Sequence, residues 1–136
     1  MDLLRFDVLL RKIFFYFCAL IFKNKSTMEN EVKSLEELQQ HISEKPAVLA
    51  YFYNDNCAPC LSLRPKIIDL VKEHFPKMEL LFVNSEKREI PAHYGVYDNP
   101  TLLVMFDGKE YIRESKYVST AQLHNSISRY YELIFN

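Results

Sequence analysis

The sequence predicts an α/β domain with a central mixed β-sheet and helices on both of its faces. Apolar runs of strand length alternate with segments of helical periodicity, which favours a parallel sheet core joined by helices. An Asp-Gly pair between two later strand-like runs is a strong hairpin signal and adds an antiparallel edge strand. The 136 residues are 49% hydrophobic, which is enough for the core of one domain of ordinary size.

The first half of this domain is predicted to fold as helix, strand and helix. A helix begins at the capping box opened by Ser34 and ends before Pro46. The apolar run 47–53 is then predicted to be a central strand that is covered on both faces. After a polar loop, a second helix runs over about 58–75, and Pro65 inside it is expected to kink it.

The second half is predicted to contain three strands and two helices. These elements are the strand 80–83, the short helix 90–94 closed by Gly95, the strand 101–106, the hairpin turn Asp107-Gly108, the edge strand 109–115 and a final helix that starts at the capping box Ser119–Gln122. No internal repeat or low-complexity linker interrupts this order.

Composition excludes several classes of function. The net charge of −1 argues against a nucleic-acid binder, which usually has a strong basic excess on one face. Gly95 and Gly108 are the two glycines of the chain, so neither common Gly-rich phosphate loop can form. Three cysteines are too few for a disulfide-stapled secreted scaffold.

Residues 1–27 differ from the rest and are predicted to be an N-terminal extension, with the domain at 28–136. Ten uninterrupted apolar residues at 13–22 fall short of the roughly 20 that span a bilayer as a helix, and no small-residue cleavage site follows them. Three interpretations stay open: a non-native or dispensable start, a short anchor that contacts a membrane through 13–22, and a cleaved signal. Cys18 in this run is expected to be a small hydrophobic residue.

Cys57 and Cys60 are the candidate catalytic residues. They follow a predicted strand and open a predicted helix, where free backbone N–H groups and the helix dipole favour negative charge. Such settings lower thiol pKa values to roughly 3.5–7.5. Pro59 suits the first helical turn, and Cys60 is placed to attack a mixed disulfide formed on Cys57. The spacing therefore predicts reversible two-electron disulfide exchange.

Two other interpretations of the cysteine pair stay open, namely half of a zinc site and a purely structural disulfide. Structural zinc needs four nitrogen or sulfur ligands, usually supplied as two pairs. The further candidate ligands have no paired spacing; they are Cys18, His41, His74, His93 and His124.

From about residue 32 to residue 135 the sequence resembles the thioredoxin family. The family's active-site segment is matched by residues 51–60, with the helix-kinking Pro65 five residues beyond. Asn99-Pro100-Thr101 is similar to the family's cis-proline segment, and Asp107-Gly108 falls at its hairpin.

This resemblance implies a thioredoxin-like fold and a thiol–disulfide oxidoreductase that reduces protein disulfides. Cys57 would be the attacking thiol, Cys60 the resolving thiol, and Pro100 a cis residue packed beside the pair. Client proteins would contact a groove formed by Asn56, Ala58, Pro59, Asn99, Pro100 and Lys116. Electrons would come from a thioredoxin-reductase-like partner, neither a metal nor an organic cofactor is implied, and a cytoplasmic location is expected.

Four positions depart from the family's pattern. Asn56 replaces an aromatic residue, Tyr51 a buried acid, Leu80 the lysine paired with that acid, and Lys116 a groove glycine. Loss of acid and lysine together leaves no unpaired buried charge. The proton acceptor for Cys60 is therefore unassigned, with Asp55 or water as candidates. The Lys116 ammonium either favours a Cys57 thiolate or is solvated at the surface.

Two further functions stay open. The lost acid–lysine pair and the altered groove favour a non-catalytic client-binding module of the same fold. The apolar run 13–22 favours a membrane-anchored, extracytoplasmic oxidoreductase.

Overall fold

A computed structural model describes residues 30–136 as one α/β unit. The predicted extension 1–27, with its apolar run and Cys18, lies outside the described residues. In chain order the elements are β1 (Glu31–Val32), α1 (Leu35–Glu44), β2 (Ala47–Tyr53), α2 (Ala58–His74), β3 (Glu79–Asn84), α3 (Glu89–Tyr94), β4 (Thr101–Phe106), β5 (Lys109–Ser115) and α4 (Thr120–Phe135). The predicted order of elements is confirmed, with β1 added at its start.

The five strands form one mixed sheet in the order β1-β3-β2-β4-β5. Strand β3 is parallel to both β1 and β2, whereas β4 is antiparallel to β2 and to β5. The apolar strand β2 lies at the centre, and six of its seven residues are buried. The charged strand β5 is an edge strand, as its sequence predicts.

The prediction of a parallel core was wrong for β4, which runs antiparallel to β2. The connection 85–100 carries the chain across the sheet and not back along it. Thr101 lies beside Phe52, while Asn84 lies beside Tyr53, so β4 starts near the edge of the sheet where β3 ends. It then runs back in the opposite direction.

Strand β1 was missed because residues around Met28 have a polar composition that favours a helix. Glu31 and Val32 instead pair in parallel with Phe82 and Val83 of β3. Two residues are too few to show the alternation that identifies a strand.

The predicted turn and capping residues adopt the expected conformations. The Ser34 hydroxyl accepts from the backbone N–H of Glu37, and the Ser119 hydroxyl accepts from that of Gln122. The Glu37 carboxylate does not complete the predicted reciprocal contact, because it accepts from the backbone N–H of Lys33. Asp107 and its following glycine both have positive φ angles, 50° and 81°, as a two-residue hairpin requires.

Each face of the sheet packs against two helices. On the α2/α4 face, buried side chains from the sheet contact residues of both helices, including Ile67 and Leu123. On the α1/α3 face they contact a second set that includes Leu38 and Ile90. The prediction of helices on both faces is therefore confirmed. Helix α2 continues through Pro65 over its 17 residues.

Candidate functional site

The strand register brings three loop segments to one edge of the sheet. Thr101 at the start of β4 pairs with Phe52, one residue before the end of β2. Ser115 at the end of β5 pairs in turn with Thr101. Residues 54–60, 98–100 and 115–117 therefore meet where β2 leads into α2.

Cys57 and Cys60 lie where this edge meets the first turn of α2. Cys57 is the N-cap residue, and its sulfur accepts from the backbone N–H of Cys60 at 3.2 Å. The two sulfurs are bonded, with the Cα atoms 5.3 Å apart. The first turn has no acidic side chain, so the positive end of the helix dipole acts on the Cys57 sulfur without a compensating charge.

The two sulfur-bearing residues differ in exposure. Cys57 is 8% exposed and Cys60 is 2% exposed. Their neighbours Asn56, Ala58 and Pro59 are exposed. An incoming disulfide therefore meets the Cys57 side of the pair first, while Cys60 is covered by the protein.

Pro100 follows a cis peptide bond at Asn99, as the resemblance implied. The Pro100 ring is buried, and its carbonyl oxygen accepts from the backbone N–H of Lys116 at 2.9 Å. The side-chain oxygen of Asn99 accepts from the hydroxyl of Ser85 at 2.8 Å. These bonds fix the segment on the neighbouring loops.

Lys116 adopts the left-handed backbone conformation expected of the glycine that it replaces, with a φ of 66°. Its ammonium lies 3.7 Å from the Asp98 carboxylate, and the side chain is 61% exposed. Of the two interpretations, the structure supports a solvated lysine, here with Asp98 as its partner. Asp98 was not among the predicted site residues, because the pair joins loops that are distant in sequence.

Tyr51 replaces the family's buried acid, and its hydroxyl contacts the site directly. The side chain is fully buried, and the hydroxyl donates to the carbonyl oxygen of Cys60 at 2.6 Å. Burial raises the pKa of Tyr51 to about 12, against a smaller lowering by the Arg64 guanidinium. This contact was not predicted, although Tyr51 carries one of the two polar side-chain atoms in the apolar run 47–53.

Arg64 of α2 lies beside these aromatic side chains. Its guanidinium carbon lies 4.0 Å from the ring centre of Phe82 and 5.1 Å from that of Tyr53, which are cation–π distances. A guanidinium nitrogen also lies 3.8 Å from the Glu31 carboxylate, which accepts from the Tyr53 hydroxyl as well. Leu80, which replaces the family's lysine, is half-buried against the same α2/α4 face.

The remaining predicted candidates are dispersed. Asp55 lies exposed in the loop before Cys57. Among residues 30–136, no three His, Cys, Asp or Glu side chains form a group that could hold a metal ion. Within the same part of the chain, no helix combines the length and the apolar character that a bilayer span requires.

Comparisons with known sequences identify one family. The sequence model of the family described as Thioredoxin matches residues 29–129. A thioredoxin-like protein YdfQ of Bacillus subtilis is 28% identical over 101 residues, which cover 74% of this chain and 89% of that protein. A thioredoxin of Rickettsia bellii is 33% identical over 79 residues, 57% of this chain and 73% of that protein.

Solved structures agree with this result. A thioredoxin of Fasciola hepatica superposes with a TM-score of 0.68 at 30% identity, covering 74% of this chain and 98% of that one. A mutant thioredoxin of Halobacterium salinarum superposes with a TM-score of 0.71 at 26% identity, covering 80% of this chain and 96% of that one. The sheet order, the cysteine pair and the cis proline described above thus occur in a chain that is similar to both.

Proposed function

Because the chain belongs to the thioredoxin family and is a thiol–disulfide oxidoreductase that reduces protein disulfides, we propose a role for each sulfur. Cys57 is the attacking thiolate and Cys60 is the resolving thiol. One observation carries this assignment: Cys57 is the N-cap of α2, more exposed than Cys60, and within bonding distance of it.

The proposed reaction has two exchange steps. The Cys57 thiolate attacks one sulfur of a client disulfide, a Cys57–client bond forms, and the other client sulfur leaves as a thiolate. Cys60 then loses its proton and attacks the Cys57 sulfur, which releases the second client thiolate. The client gains two electrons overall, and its two thiolates take up the proton lost by Cys60 and one proton from water. The protein is left with the Cys57–Cys60 disulfide.

The proposed client groove is formed by the exposed residues beside the pair and by the cis-proline segment. It comprises Asn56, Ala58, Pro59, Asn99, Pro100 and Lys116. An extended client segment would pair with backbone groups near Pro100, a mode of binding that tolerates varied sequences. Tyr97 and Tyr117 are 86% and 93% exposed on the adjoining loops and would supply aromatic contact area.

The oxidised pair must be reduced again before another turnover, and we propose a thioredoxin-reductase-like protein as the electron donor. Neither a metal nor an organic cofactor enters this scheme. Residues 28–136 are proposed to be sufficient for the reaction, in the cytoplasm. Comparing the membrane partitioning of the full chain with that of a chain starting at Met28 tests whether residues 1–27 act as an anchor.

A disulfide reduction assay on insulin tests the sulfur assignment. We expect turnover by the wild-type protein, background rates for Cys57→Ser, and a trapped mixed disulfide with the client for Cys60→Ser. Full activity of Cys57→Ser would reject the assignment. A trapped complex from Cys60→Ser without any turnover by the wild type would instead indicate a client-binding module.

A further inference from the structure

Tyr51 joins the central strand to the turn that carries both cysteines. Its buried hydroxyl donates to the Cys60 carbonyl oxygen at 2.6 Å, and its ring meets the Phe82 ring edge-on with centres 5.7 Å apart. The ring packing fixes the orientation of the phenol on the central strand β2, so the hydroxyl is held at a fixed position beside the Cys60 carbonyl. The Tyr51 hydroxyl takes no part in either of the two exchange steps proposed above.

The turn that Tyr51 contacts has a weakened connection to the rest of α2. Pro65 has no backbone N–H, so the Leu61 carbonyl four residues earlier lacks its usual helical donor. The Tyr51 hydroxyl bond lies on the N-terminal side of this gap. It therefore ties the segment from Cys57 to Leu61 to the sheet by a contact that does not depend on the helical ladder.

We propose that Tyr51 is a positioning residue for the resolving step, an inference that rests on the proposed function. By holding the Cys60 carbonyl, Tyr51 keeps the Cys60 sulfur within bonding distance of the Cys57 sulfur after a mixed disulfide has formed. In that step a Cys57–Cys60 bond replaces the bond between Cys57 and the partner sulfur. The partner leaves as a thiolate and takes up a proton, which balances the proton lost by Cys60.

The hydroxyl acts as a neutral donor and not as a proton acceptor. The charged group facing it is the Arg64 guanidinium of α2, which also lies beside Glu31 of β1. Burial nonetheless raises the pKa of Tyr51 to about 12, so the hydroxyl keeps its proton at neutral pH. Tyr51 thus supplies geometry at the position where the family pattern has an acid.

The test compares Tyr51→Phe with Tyr53→Phe in the full chain. Tyr53 lies two residues along the same strand and bonds to Glu31 instead of a cysteine, so its variant is a matched control. Two quantities are measured: the alkylation rate of Cys57 in the reduced protein, and the equilibrium constant of the Cys57–Cys60 disulfide against a glutathione buffer series. The second quantity contains the ring-closing step, whereas the first does not.

We expect Tyr51→Phe to lower the stability of the internal disulfide about fivefold, or by about 20 mV, because the turn that the buried hydrogen bond holds in place in the reduced protein must then be ordered when the ring closes. The alkylation rate should stay at the wild-type value, and Tyr53→Phe should match the wild type in both measurements. An unchanged disulfide equilibrium in Tyr51→Phe would overturn the proposal, and so would an equal shift in the Tyr53 variant.

A wild-type measurement covers the case in which Tyr51→Phe fails to fold. In the reduced protein, the Tyr51 hydroxyl proton should be visible by NMR because burial and its bond to Cys60 slow its exchange with water. Rapid exchange of that proton would overturn the proposal. A wild-type protein that does not reduce insulin would reject the proposed function itself, an outcome independent of both Tyr51 readouts.

Discussion

The two faces of the sheet differ in the side chains that they bury. The α1/α3 face is packed mainly with aliphatic residues, among them Leu38 and Leu103, with Phe52 as a single fully buried aromatic residue among the described residues. The α2/α4 face buries more aromatic residues, among them Phe82, Phe106 and Tyr51. Tyr51 adds a buried hydroxyl that contacts the helix carrying the cysteines.

The two faces are therefore expected to affect different properties, namely the stability of the fold and the chemistry of the cysteine pair. Aliphatic packing on the α1/α3 face stabilises the sheet without a directional contact to the site. The α2/α4 face provides both packing and the hydrogen bond that reaches Cys60. Substitutions on the first face should therefore change the free energy of unfolding, while a conservative substitution at Tyr51 should change the disulfide equilibrium.

The largest expected effect on stability is that of Leu103→Ala on the α1/α3 face. Leu103 is fully buried in β4, and truncating such a side chain costs about 2–5 kcal/mol. Urea unfolding should record this loss, while the disulfide equilibrium of the folded variant stays at the wild-type value. A tenfold shift of that equilibrium would contradict the separation of the two faces.

The next largest expected effect is a loss of stability at alkaline pH, through Tyr51 on the α2/α4 face. The pKa of Tyr51 is raised from 10.0 to about 12 by burial, so the unfolded chain loses this proton first as the pH rises. The contribution of the neutral Tyr51 hydroxyl to the free energy of unfolding is fully present below about pH 10 and is lost by about pH 12. Its size is about 1.4 kcal/mol for each unit by which the pKa is raised. Unfolding free energies measured across this range should fall less steeply for Tyr51→Phe than for the wild type. Identical slopes would show that Tyr51 is not buried as a neutral phenol.

Loss of a helix cap should cost the same on either face. Ser34 caps α1 and Ser119 caps α4 through equivalent hydroxyl contacts. Replacing either serine with alanine should lower the free energy of unfolding by about 1 kcal/mol without affecting insulin reduction. Loss of reductase activity in either variant would show that the caps act on the site.

The smallest expected effect is a gain, from Lys116→Gly at the site edge. A non-glycine residue at a φ of 66° is strained, and glycine relieves the strain at some cost in chain entropy. The exposed ion pair with Asp98 contributes little, so a net gain of about 0.5–1 kcal/mol is expected in urea unfolding. Asp98→Asn, which keeps Lys116, serves as the control, and a destabilised Lys116→Gly would rule out strain at this position.

Local sequence signals were sufficient for most of the fold. The apolar run 47–53 identified the central strand, and Asp107-Gly108 identified the hairpin, because both signals depend on neighbouring residues alone. The direction of β4 was not accessible in this way, since it depends on the path that the whole connection 85–100 takes across the sheet. Strand β1 is too short to have a pattern of its own.

For the site, likewise, the sequence predicted the motif residues but not their tertiary contacts. The cysteine pair follows from a motif that is continuous in sequence, whereas the cis proline was implied by the family resemblance alone. The contact of Tyr51 with Cys60 crosses the interface between sheet and helix, and the Lys116–Asp98 pair joins two loops. Such partners are fixed by tertiary packing, so the sequence identifies the unusual residues but not what they contact.

The proposed chemistry requires that the start of α2 makes Cys57 anionic at neutral pH, because the thiolate is the form that attacks disulfides. Cys60 lies one turn further along the helix and stays available for the resolving step. Titration of the reduced full-length protein, following thiolate absorbance in the wild type and in Cys60→Ser, measures this property. We expect a Cys57 pKa below about 7.5, as helix N-termini produce. A Cys57 thiol that remains protonated above about pH 8.5, the value of a free cysteine, would contradict the assignment of Cys57 as the attacking thiolate.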